Sequence, residues 1–69
     1  MEPTINVGKS GVTDNTIAEI RKQLKRHGTI RVKLLPAAGE ERKALMDRII
    51  SETGAKVQSR VGFVMILSE

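Results

Sequence analysis

The pattern of apolar and polar positions divides the chain into strand-like and helix-like stretches. Thr4-Ile5-Asn6-Val7 alternates and stops at Gly8, which reads as a short strand. Beyond Asp14 the period becomes helical: Ile17, Ile20 and Leu24 fall on one stripe at about 100° per residue. Thr13 suits the N-cap, Val12 and Ile17 are spaced for a hydrophobic staple, and Gly28 stops the helix after His27. Thr29 to Leu34 alternates again, with Ile30, Val32 and Leu34 inward and Arg31 and Lys33 outward. Pro36 and Gly39 bracket a loop. A second helix follows, with Leu45, Met46, Ile49 and Ile50 on its apolar side and Gly54 as its stop. Glu40 and Glu41 are expected in its first turn, where the positive end of the macrodipole favours acids. Ala55 to Val61 alternates, with Lys56, Gln58 and Arg60 on one face, and Gly62 makes a tight turn. Phe63 to Leu67 is apolar throughout, as expected of a strand flanked on both sides.

The predicted order is β-α-β-α-β-β, an α+β fold of two layers with a mixed sheet. Right-handed crossovers make the first and second strands parallel neighbours. The apolar last strand fits inside the sheet beside the second, and the alternating third fits an edge. The sheet order is then 1-2-4-3 with strand 4 antiparallel. Two helices cover one face, and the open face is expected to show Arg31, Lys33, Lys56 and Arg60. With 69 residues the chain makes one domain, residues 1–69, with a thin core and no depth for an enzyme pocket. It has no cysteine, hence no disulfide framework and no thiolate metal site. Its apolar runs are too short for a membrane span, and Met1-Glu2-Pro3-Thr4 lacks the apolar core of a signal peptide. These features predict a soluble cytoplasmic protein that needs no cofactor.

The net charge of +4 is unevenly placed. Residues 8 to 33 hold Lys9, Arg21, Lys22, Lys25, Arg26, Arg31 and Lys33 against Asp14 and Glu19, seven minus two, or +5. Residues 34 to 69 hold five basic and five acidic side chains, and Glu2 contributes −1. On the first helix Arg21, Lys22, Lys25 and Arg26 occupy an arc beside the apolar stripe. Such a distribution is the footprint of a polyanion binder; it also suits a solvated helix face.

The segment Gly8-Lys9-Ser10-Gly11 stands where the first strand gives way to that helix. Glycine lets backbone turn tightly and approach a ligand. The helix start behind it offers unpaired amides and an electropositive dipole end, which together suit a phosphate. KH domains clamp a nucleic-acid backbone with a GxxG loop of this kind. Taken alone, the four residues read first as an ordinary strand-to-helix turn. They are not a Walker A loop, which needs a glycine where Pro3 stands. His27, the single histidine, has no second ligand and suits the last carbonyls of the helix. Ser10 beside Lys9 has no third group to orient it, so no catalytic residue and no metal site are assigned. Phe63 is the single aromatic, which excludes base stacking of the RRM kind and leaves phosphates and shape as the basis of any nucleic-acid contact.

Several spaced motifs together resemble the CRM (chloroplast RNA splicing and ribosome maturation), or YhbY-like, domain. They are Val7-Gly8-Lys9-Ser10-Gly11-Val12-Thr13, then Glu40-Glu41-Arg42-Lys43-Ala44, then Glu52-Thr53-Gly54-Ala55, and Val61-Gly62 before an apolar strand. The resemblance implies an RNA-binding function in ribosome assembly, with ribosomal RNA or pre-ribosomal particles as partners. It also implies a sheet similar to that of the C-terminal domain of bacterial translation initiation factor three. Its RNA contacts carry over to Gly8, Lys9, Ser10, Gly11, Lys22, Lys25 and Arg26; the charge distribution adds Arg21, Arg31 and Lys33. The chain departs from the family in starting just before the first strand, in Phe63 after the hairpin glycine, and in ending Ser68-Glu69. The alternative function is a protein-interaction module or weak homo-oligomer that uses the apolar strand Phe63 to Leu67.

Overall fold

A computed structural model describes residues 3–69. The reading of Met1 and Glu2 lies outside the described residues. The elements are β1 (Thr4–Val7), α1 (Asp14–His27), β2 (Thr29–Leu34), a 3-10 turn (Pro36–Ala38), α2 (Arg42–Thr53), β3 (Lys56–Val61) and β4 (Val64–Ser68). The four-stranded sheet runs β1-β2-β4-β3, with β1 parallel to β2 and β4 antiparallel to both its neighbours. This is the predicted topology.

Both helices pack on one face of the sheet. The core joins Ile17, Ile20 and Leu24 of α1 and Met46 and Ile49 of α2 to Val7, Ile30, Val32, Leu34, Met65 and Leu67 of the strands. Burying a side chain of this size contributes about 1.5–3 kcal/mol. Domains of this kind keep only about 5–15 kcal/mol of net stability, so each of these side chains matters. Leu45 and Ile50 of α2 are only half-buried against that core. Among the described residues, no helix is long and apolar enough to cross a membrane.

Two expectations are corrected. First, α2 begins at Arg42, and Glu41 is its N-cap without a side-chain hydrogen bond. Glu40 and Glu41 therefore precede the first turn. Gly39 has φ 100° and ψ −178°, a mirror-extended conformation that breaks helical continuation after the 3-10 turn.

Second, Arg60 leaves the open face. Val57 pairs with Leu67 but Ser59 pairs with Ile66, so Gln58 is an extra residue, a β-bulge. A one-residue shift moves every later side chain to the other face. Arg60 then lies opposite buried Met65 on the helix side, where Nη1 donates to Asp47 Oδ1 of α2 at 3.3 Å. Bulges and inward-turned charges are common devices against edge-to-edge pairing, and β3 is an edge strand with all six residues exposed.

Strand β4 is flanked by β2 and β3 but is covered on one face only. Met65 and Leu67 are buried, whereas Val64 and Ile66 are half-buried on the open side opposite Lys33 and Arg31. Phe63 precedes the strand, in the turn. Among the described residues the open face therefore carries three cross-strand rows: Asn6–Lys33–Val64–Val61, Thr4–Arg31–Ile66–Ser59 and Thr29–Ser68–Lys56.

Candidate nucleic-acid interface

Gly8 to Gly11 forms a tight turn closed by the Gly11 amide donating to the Gly8 carbonyl at 2.9 Å. Only one of the two glycines is demanded by backbone conformation. Gly11 has φ +66°, the left-handed region, whereas Gly8 has no positive φ and a Cβ there would meet nothing closer than Leu35 Cδ1 at 3.8 Å. Lys9 and Ser10 form the exposed tip.

The loop is held from both sides. Before it, the Leu35 amide donates to the Val7 carbonyl at 2.8 Å, extending the β1–β2 pairing. After it, Val12 is buried in the core together with Ile17, as the staple requires. Thr13 caps α1: its Oγ1 accepts from the Thr16 amide at 3.3 Å, and Thr16 Oγ1 accepts from the Thr13 amide at 3.2 Å. This capping box uses threonine where glutamate or glutamine is usual, so Thr16 escaped the sequence pattern. From α2, Arg48 Nη1 donates to the Val12 carbonyl at 2.8 Å. Nothing in the sequence separates Arg48 from the other charges of that helix.

The predicted site residues divide among three places. Lys22, Lys25 and Arg26 are exposed on the C-terminal half of α1, with Lys25 and Arg26 in its last turn, at the end away from the loop. Lys22 lies eight residues beyond Asp14, a rise of roughly 12 Å. Glu19 on the same helix accepts from Gln23 Nε2 at 2.8 Å. Arg21 sits at the seam between the helices, where Nη2 donates to the Glu52 carbonyl at the end of α2. It also lines a shallow cleft of about 260 Å³ with Lys25, Thr53 and Glu69. Arg31 and Lys33 are on the open sheet face, across the sheet from α1. Lys33 is in register with Asn6, near the end of β1 that leads into the loop. The loop thus leads directly into the start of α1, whereas Arg31 and Lys33 lie on the opposite face of the sheet.

The sequence profile of the CRS1 / YhbY (CRM) domain matches residues 1–67. The chain belongs to this family. Among curated relatives, a Haemophilus influenzae protein named RNA-binding protein is 30% identical over 67 residues, covering 97% of this chain and 68% of that protein. A Pseudomonas aeruginosa protein named a probable RNA-binding protein is 29% identical over 62 residues, covering 90% of this chain and 60% of that one. A Methanocaldococcus jannaschii protein, also named a probable RNA-binding protein, is 36% identical over 69 residues, with 97% and 51% covered. The chain therefore spans between about half and two thirds of the length of these relatives. The solution structure of a hypothetical protein from Staphylococcus aureus superposes with a TM-score of 0.73 at 22% identity, over 100% of this chain and 72% of that one. At that identity the likeness concerns the CRM fold alone.

Proposed function

We propose that this CRM domain is an RNA-binding module that grips structured RNA through the Gly8–Gly11 turn and the outer side of α1, without catalysing a reaction. The observation that carries this reading is the exposed Lys9-Ser10 tip held directly before a capped helix start, with Lys22, Lys25 and Arg26 continuing the positive charge along that helix. Phosphate oxygens would meet amides and lysine at the turn and cations along the helix. The names of the curated relatives support RNA over other polyanions. Ribosomal RNA or its precursors in the cytoplasm are the ligands proposed, on the strength of the family. Arg31 and Lys33 would add contacts where the RNA wraps the β1 edge, and Arg21 serves chiefly to tie the helices together. The test is an RNA titration with thermal melting of the same samples. Wild type should bind, and the double variant Lys9→Asp, Ser10→Asp should not, while still melting normally.

One observation favours a second reading. Val61 keeps 74% of its surface exposed beside half-buried Val64 and Ile66. An apolar ridge of this kind suits a partner protein or a second copy, and with Met65 and Leu67 buried it is narrower than the whole strand suggested. A binding defect from changes at Val61, with none from changes at Lys9 and Ser10, would favour it.

A further inference from the structure

Arg48 engages three groups around one point of the chain. Its Nη1 donates to the Val12 carbonyl at 2.8 Å, its Nε donates to Glu52 Oε2 at 2.6 Å, and its Nη2 lies 3.9 Å from Asp14 Oδ1. Val12 is the residue after Gly11, and Asp14 is the first residue of α1. Glu52, one turn along α2, fixes the guanidinium from behind. The planar fork of arginine allows these bonds in fixed directions from one side chain, which a lysine ammonium does not reproduce. Gly11 is itself in a left-handed conformation, so the turn is joined to α1 through a hinge that glycine alone would leave free.

We propose that Arg48 is a positioning residue for the RNA-binding turn: it fixes the Val12–Thr13 peptide, where the turn joins α1, and so the aim of the Lys9-Ser10 tip, from helix α2 without touching RNA. This rests on the loop being the RNA grip. Glu52 belongs to the same device, because it holds Arg48 in the pose that reaches Val12. The carboxylate makes an opposite-signed prediction possible. Removing an acid raises the net charge, and electrostatics alone would then tighten RNA binding. Positioning requires the reverse, because an unheld Arg48 no longer holds the turn.

The experiment compares wild type, Arg48→Gln, Arg48→Lys, Glu52→Ala and the double variant Lys9→Asp, Ser10→Asp. RNA affinity is titrated at fixed salt, and the backbone amide shifts of Lys9, Ser10 and Gly11 are recorded by NMR without RNA. Arg48→Gln should weaken binding by about tenfold, the scale of one lost charge-assisted hydrogen bond. Arg48→Lys should fail to restore it, and Glu52→Ala should weaken binding by roughly two- to fivefold despite its added positive charge. In these three variants the loop amide shifts should move in the free protein. Full affinity in Arg48→Lys with unmoved loop amides would make Arg48 a direct cation contact and overturn the proposal. Tighter binding by Glu52→Ala would overturn it as well, and that variant keeps the test open if the arginine changes impair folding. If the aspartate pair binds like wild type, the loop is not the grip and both readings fall. If the pair loses binding while Arg48→Gln keeps it, only the positioning role falls.

Discussion

Two glycine turns project from the same end of the sheet, and they are built differently. The turn Gly8–Gly11 leaves β1 and the turn Gly62–Phe63 joins β3 to β4; the row Asn6–Lys33–Val64–Val61 runs between them. The first turn is anchored by the buried Val12, by the Thr13–Thr16 capping box and by Arg48, and it puts a lysine and a serine outward. At the second, Arg42 lies over the Phe63 ring, 3.8 Å from its centroid, and Val61 stands exposed beside it. One tip offers charge and a fixed backbone to a phosphate. The other offers a hydrophobic surface with its neighbouring cation already turned onto an aromatic ring. On the proposed reading, an anionic ligand would discriminate between them by chemistry alone.

The largest expected effect breaks that comparison outright. The paired change Lys9→Asp, Ser10→Asp places two carboxylates where the phosphate belongs and should reduce RNA affinity by at least about a hundredfold, given that like charges brought together cost several kcal/mol. Thermal melting should hardly change, since acids near a helix N-terminus are tolerated or mildly favourable. Val61→Ser should leave RNA affinity within about twofold, in the range of a surface change away from the ligand. A reversal of these two results would move the binding site to the hairpin side.

The next effect tests how far the first region extends. If four or five phosphates are neutralised, log K against log salt should slope about −3 to −4.5. Lys22→Gln with Arg26→Gln should flatten that slope by about 1.4–1.8, and each change should weaken binding roughly fourfold near 0.15 M salt. Lys43→Gln with Lys56→Gln removes the same charge from exposed positions elsewhere. Arg42 and Arg48 are unsuitable as such controls, because one covers Phe63 and the other holds Val12. Equal loss from both pairs would mean that net charge alone governs affinity.

How much of this was legible in the sequence follows from the range of each signal. The alternation of β2, the stripe Ile17–Ile20–Leu24 and the stop at Gly28 are local patterns, and they led to the right elements and sheet order. Arg60 failed because alternation is reliable only while the register holds. The bulge at Gln58 has no glycine or proline to mark it, and it turned Arg60 from the open face to Asp47. Glu40 and Glu41 failed for a related reason: acids favour a helix start, but the mirror-extended Gly39 decided where the helix could begin. Arg48 was invisible for a third reason. Its bond to Val12 crosses 36 positions of sequence, and on its own helix it looks like one half of an ordinary i,i+4 pair with Glu52.

The two turns can also be compared through their glycines. Gly11 and Gly62 have φ of +66° and +57°, and a Cβ at either meets nothing within 4 Å. Gly11→Ala and Gly62→Ala should therefore each lower stability by about 1–2 kcal/mol through backbone strain alone. Gly8→Ala should cost less, because no positive φ demands glycine there and the added methyl makes an ordinary contact. Urea melts separate the three. RNA titration adds the finer distinction, since only Gly11→Ala should weaken binding beyond its effect on folding. Equal binding by Gly11→Ala and Gly62→Ala would show that the conformation of the first turn does not matter to the ligand.

The smallest effect lies at the ion pair produced by the bulge. Arg60 and Asp47 approach to 3.3 Å, but their side chains remain 32% and 62% exposed, so solvent screens most of the attraction. Pairs of this kind contribute about 0.2–1 kcal/mol, and Asp47→Asn should lower stability by no more than that. The variant also gains one unit of positive charge on the α2–β3 side. If affinity depended on net charge wherever it sits, RNA binding should tighten as much as Lys22→Gln weakens it. If the ligand lies on the loop and α1, the charge removed at Asp47, which belongs to neither, should change affinity by less than about twofold, because exposed charges are screened over about 8 Å at physiological salt. Measuring Asp47→Asn beside Lys22→Gln therefore compares single charges of opposite change on the two regions, with stability nearly constant in both. A gain by Asp47→Asn as large as the loss by Lys22→Gln would remove the distinction between the regions that the turn geometry implies.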